Sequence, residues 1–220
     1  WFVCLALRLL DGDRSWRWTF FTSALLFVIW LQGSFHQYLW LLFFLAFGAV
    51  FIRGAFWICV RAGFFALLIS AFRLFPAALL TGKYSAQFIT GYPTLYSVWD
   101  ALTNPGNQLN SFYFPSGLEG AGAWEFSAYI GLAAALALVY FGVYRGLILR
   151  GSPFRPLALP LAGMFFLSFG EFYGWLRLLP IPILQGERLS SRMFAVVLVF
   201  LIVIAAERFQ RWLDERRADP

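Results

Sequence analysis

Apolar runs, each closed by a short polar or Gly/Pro-bearing piece, fill most of this chain. Six of them, at roughly 17–33, 36–53, 56–76, 125–145, 156–175 and 190–207, have the length of about 17 to 25 residues that a helix needs to cross a bilayer. The first two are joined only by "GSFH", which predicts a tight helical hairpin. A long connection runs from Ala77 to Trp124, with a short amphipathic helix expected around Leu95 to Leu102, and a shorter one from Leu176 to Leu189. The opening "WFVCLALRLLDGD" is apolar but too short to span, and it reads as the inside of a helix in a longer chain. The expected fold class is therefore all-α: a polytopic transmembrane helix bundle of about six full spans plus a truncated N-terminal one. A single bundle over 1–220 would carry one outer-face loop at 77–124 and a tail at 208–220.

Composition turns this pattern into a compartment. Hydrophobic residues make up 61% and charged residues 13%, against about 25% charged in a soluble domain. The net charge of +6 does not point to nucleic acid, because the basic residues sit in short pieces between apolar runs. Alternating the runs across a membrane puts Arg8, Arg14, Arg17, Arg53, Arg61, Arg145, Arg150, Arg155, Arg208, Arg211, Arg216 and Arg217 on one side. Only Arg73, Lys83, Arg177, Arg188 and Arg192 fall on the other. Since cytoplasmic loops carry the excess of Lys and Arg, the first side is cytoplasmic and the long loop faces outward. Tryptophans near the run ends, such as Trp16, Trp57, Trp124 and Trp175, fit an interfacial belt. Cys4 and Cys59 both lie in apolar surroundings, so neither a disulfide framework nor a thiolate metal site is expected.

Candidate chemistry gathers on the outward side. In "ERLSSR", Arg188 and Arg192 stand four residues apart, one turn on a helix, beside the hydroxyls of Ser190 and Ser191. A helix start with two guanidinium forks suits phosphate oxygens. The alternative is headgroup snorkelling, or pairing with Glu187. Glu125 and Glu171 sit at or inside the outer ends of their spans, where carboxylates usually pair inside the bundle. For Glu171 the partner would be Arg73 or Arg192, and a sugar hydroxyl is the functional alternative. His36, the only histidine, falls in the outward turn of the hairpin with Gln32 and Gln37, and a lone His makes no metal site. No GxxxxGK[ST], GxSxG, HExxH or CxxC occurs, so nucleotide hydrolysis, serine hydrolysis and zinc chemistry have no support.

The order of these pieces carries a resemblance. A hairpin with a G-x-x-H turn, then "EFSAYIGLAAALALV", then "LPIPILQGERLSSRMFAVVLVFLIVIAAERF" resembles the C-terminal half of bacterial GT-C-type polytopic membrane glycosyltransferases and their uncharacterised relatives. The resemblance implies transfer of a sugar from a polyprenyl-phosphate donor to an acceptor on the outer face of the bacterial inner membrane. It implies phosphate contacts at Arg188 and Arg192, matches Tyr129 and Gly131 to a "YxG" element, and leaves His36, Arg73 and Tyr129 as outer-cavity contacts. The acidic base of such enzymes lies in a first outer loop that this sequence does not contain, so the fragment alone is expected to be inactive, and Glu125 and Glu171 are the only carboxylates at suitable depth. No cofactor is evident in the chain, and a divalent cation in the longer protein stays open. Membrane lipids and the donor are the expected partners, with nucleic acid excluded and the oligomeric state open. Two rival readings share the plan: a lipid or polysaccharide flippase, and a non-catalytic membrane assembly subunit.

Overall fold

The structure, a computed structural model, describes residues 1–81, 88, 90–105, 126–179, 184 and 187–218. All regular structure among them is helical, with two isolated β-bridges. The hairpin and its neighbours form where the apolar pattern places them: α1 (Phe2–Leu10), α2 (Trp16–Leu31), α3 (Phe35–Phe51) and α4 (Phe56–Thr81). Ser15 caps α2 by accepting from the Trp18 amide, and Ser15 in turn donates its own amide to Asp13. Hydrogen bonds from the Ser15 side chain and from its amide hold the Asp13 carboxyl below its ordinary range. Gly33 and Gly54, with φ of 84° and 72°, supply the left-handed residues at the α2–α3 and α3–α4 turns.

Two helical stretches, Phe56–Pro76 and Ser190–Arg217, are long and apolar enough to cross a membrane. Four further apolar helices, 16–31, 35–51, 132–148 and 155–167, are shorter. The chain divides into two compact units, one made of residues 1–88, 156–164 and 176–188, the other of 89–155, 165–175 and 189–220.

In the first unit α4 packs on α2 and α3 along a stripe of small residues, with Ala55, Ala62 and Ala66 fully buried and Cys59 nearly so. Small side chains let helix backbones approach, and here the approach is close enough for Ser23 Oγ on α2 to donate to the Ala62 carbonyl on α4 at 2.9 Å. At the Trp16 end of α2, Arg61 lies 3.9 Å over the Trp16 ring and donates from Nε to Thr19 Oγ1 at 3.1 Å.

The second unit corrects several helix boundaries. The expected short helix in the long loop forms as α5 (Leu95–Thr103), opened by a capping box between Thr94 and Ser97. The expected span at 125–145 starts only at Leu132. Before it, the amides of Ala128, Ile130 and Gly131 are taken by the carbonyls of Ala101 and Leu102, which keeps this stretch out of a helix. From Leu132 the chain runs as α6 (Leu132–Ala137) and continues as a π-helix, Leu138–Ile148.

The expected span at 156–175 is broken. A 3₁₀ turn (Arg155–Leu157) leads into α7 (Ala158–Leu167), the helix stops at Ser168–Phe169, and α8 (Gly170–Leu176) follows. Tyr92 causes the break by donating its amide to Ser168 O at 3.0 Å while its carbonyl accepts from Gly170 N at 3.4 Å. This crossing requires glycine at 91, because a Cβ there would overlap Ser190 Oγ and the Ser168 carbonyl. The last helix, α9 (Phe194–Ala218), is preceded by a 3₁₀ turn (Ser190–Met193) and continues well past the expected end at 207. Polar i,i+4 pairs, Glu207 with Arg211 and Gln210 with Asp214, carry it through the polar tail.

Candidate functional site

The site builds from the start of α3. Gly33 turns the chain, α3 opens at Phe35, and His36 and Trp40, four residues apart, share one face with ring centroids 6.3 Å apart. Both reach Glu187, 151 residues from His36: His36 Nδ1 lies 3.0 Å and Trp40 Nε1 2.9 Å from the same oxygen, Oε2. All three residues belong to the first unit. The Glu187 side chain has 0% exposure, whereas that of His36 has 35%. A carboxylate so enclosed is costly unless hydrogen bonds compensate. Its second oxygen, Oε1, has no partner among the described residues.

The donor inventory fixes how this group is wired. An indole N–H only donates, so Oε2 acts as an acceptor towards Trp40. A carboxylate accepts from His36 as well, which places the imidazole proton on Nδ1 and leaves Nε2 as the nitrogen that no described residue occupies. The arrangement is a carboxylate orienting a half-exposed imidazole, a pairing that serves general acid–base chemistry.

Arg188 follows directly and is exposed between two buried residues, Glu187 and Leu189. Its expected stacking on Arg192 along one helix is not formed, because Leu189 is extended (φ −138°, ψ 103°) and the Ser190 amide donates to Thr90 O. Arg192 sits half-buried in the 3₁₀ turn of the second unit. Ser191 beside it is buried with its hydroxyl unpartnered among the described residues.

The other expected site residues are placed as follows. Arg73 is exposed and donates to the Leu31 carbonyl at 3.1 Å, which closes the end of α2. Tyr129 is exposed on the non-helical stretch before α6, and Gly131, with φ of 84°, caps that helix. Glu171 is exposed in the first turn of α8, so it is not the enclosed carboxylate that a place inside an unbroken span would make it. Glu125 lies outside the described residues. The enclosed carboxylate is Glu187, weighed from sequence only as a partner for arginine. The signals that could have found it are its isolation as the only acid between Glu171 and Glu207, and the presence of one histidine in the chain.

Tyr92 is the other buried polar group of note: its hydroxyl donates to Phe126 O at 2.8 Å, and burial pushes its pKa up, so it stays a neutral donor. No three His, Cys, Asp or Glu side chains converge among the described residues to hold a metal. No family model, no curated protein and no solved structure matches the chain.

Proposed function

We propose that this chain is part of a bacterial polytopic membrane glycosyltransferase that moves a sugar from a polyprenyl-phosphate donor to an acceptor on the outer face of the inner membrane. One observation carries the reading: the exposed cation Arg188 stands next in the chain to a fully buried Glu187 that holds His36. Sugar transfer from a lipid phosphate needs a fixed positive charge for the departing phosphate and a proton acceptor for the incoming hydroxyl. Burial of Glu187 and Leu189 on either side holds the Arg188 backbone in place, which favours a preorganised charge over a swinging one. The membrane setting is supported by the two long apolar helices and by the large side chains they expose, such as Trp57, Phe64, Phe72 and Phe75 on α4. The excess of basic residues on one side supports a cytoplasmic C-terminus.

Arg188 is the proposed phosphate contact of the first unit. For Arg192, in the second unit, a phosphate contact is a separate proposal drawn from residue type and position in sequence. The test uses the full-length protein in lipid nanodiscs with a panel of labelled polyprenyl-phosphate sugars. A charge-assisted contact of about 1.5–3 kcal/mol predicts that Arg188→Ala weakens donor use about tenfold to a hundredfold. Arg188→Lys should recover only part of it, because it keeps the charge and loses the fork. Unchanged donor affinity in well-folded Arg188→Ala protein would overturn the phosphate assignment, and the same measurement on Arg192→Ala decides that residue by itself.

A further inference from the structure

We propose that His36 is the catalytic base of this site and that Glu187 and Trp40 are positioning residues which fix its tautomer. This inference rests on the glycosyl-transfer reading for its substrate, an acceptor hydroxyl, but not for its geometry. Of the two carboxylates expected from sequence, Glu125 lies outside the described residues and Glu171 is exposed in the first turn of α8, while Glu187 is fully enclosed. His36 is the member of the group that reaches the surface, and its Nδ1 is already committed to Glu187 at 3.0 Å. Trp40 matters because its N–H, 2.9 Å from the same oxygen, keeps that oxygen an acceptor and holds the carboxylate against rotation. With Nδ1–H donated inward, the lone pair of the neutral imidazole resides on Nε2.

The step balances without any redox partner. The acceptor oxygen attacks the anomeric carbon of the donor sugar and forms the new glycosidic bond. The bond between that carbon and the phosphate oxygen breaks, and its electron pair leaves on the polyprenyl phosphate. The hydroxyl proton passes to His36 Nε2, Glu187 stabilises the resulting imidazolium, and the proton is later released to water. His36 therefore changes charge during the reaction, whereas Glu187 stays a carboxylate throughout.

The single histidine in this sequence makes the test direct, with ¹⁵N-histidine in full-length protein reconstituted in nanodiscs and any other histidine replaced. Imidazole nitrogen shifts should show the neutral ring protonated on Nδ1 and bare on Nε2; Glu187→Ala, which removes the acceptor, should abolish that preference, and Glu187→Gln, which keeps an acceptor oxygen, should retain part of it. Trp40→Phe should weaken it while the protein stays folded. A wild-type ring protonated on Nε2, or one still doubly protonated near pH 8 as a fixed ion pair, would overturn the proposal without any variant. Activity separates the two levels of inference. Wild-type protein that transfers sugar should lose about a hundredfold to ten-thousandfold in kcat as His36→Gln, with little change in KM for the donor. Full kcat in that variant sinks the base assignment and leaves the transferase reading standing. Absence of transfer from any polyprenyl-phosphate sugar sinks the transferase reading, while the tautomer result still decides whether Glu187 positions His36.

Discussion

His36 Nδ1 and Glu187 Oε2 stand 3.0 Å apart across 151 residues of sequence, and this contact joins the α2–α3 hairpin end to the segment before the last helix. It brings an imidazole and a carboxylate together in surroundings that exclude water from the carboxylate, although neither residue is within a turn of the other in sequence. Whatever its chemistry, such a contact has an energetic signature.

Glu187→Ala should therefore destabilise the protein, because it leaves the Trp40 N–H, itself almost fully buried, without an acceptor. An orphaned buried donor costs about 1–3 kcal/mol, while His36 is exposed enough to turn to water. Glu187→Gln keeps an oxygen for Trp40 and should cost less. Thermal unfolding in detergent reads both, and an alanine variant as stable as wild type would remove the structural case for the buried pair.

The packing of α9 on the π-helix rests on two glycines, and it predicts a graded series. A Cβ at Gly142 would stand 3.0 Å from the Leu201 carbonyl, and one at Gly146 would overlap Ile204 Cγ2. Gly146→Ala should cost about 1–3 kcal/mol through overpacking, with Ile204→Ala relieving part of the loss in the double variant. Gly174→Ala, where a Cβ meets no atom within 4 Å, is the control and should cost little by the same measure. Equal stabilities at 146 and 174 would mean the two helices are not in this contact.

Sidedness follows from the distribution of the basic residues and is tested apart from the site. A cysteine placed at Asn107 in a protein lacking Cys4 and Cys59 should react with an impermeant thiol reagent in intact cells, and one placed at Arg216 should be protected until the membrane is opened. The reverse pattern would put Arg188 and the His36–Glu187 pair on the cytoplasmic side and end the outer-face reading.

The apolar pattern alone placed α2, α3 and the start of α4 within a few residues, because a helix that buries or solvates apolar groups along its whole length is set by local composition and by Gly and Pro punctuation. It also placed α5, whose cap residues Thr94 and Ser97 are read from neighbouring positions. Tertiary structure decided the rest. The break at Ser168–Phe169 depends on Tyr92 and the glycine before it passing close enough to take backbone hydrogen bonds, and the late start of α6 depends on the carbonyls at the end of α5. Arg188 and Arg192 have helical spacing in sequence, yet the amide of Ser190 is claimed by Thr90, so the turn that would stack them does not form. The same holds for the site: the sequence marked His36 as the only histidine and offered Glu187 as a partner for arginine, but the pairing of the two is a contact between distant segments. Local periodicity carries no information about which buried donor meets which buried acceptor, since that choice is made by how the helices pack.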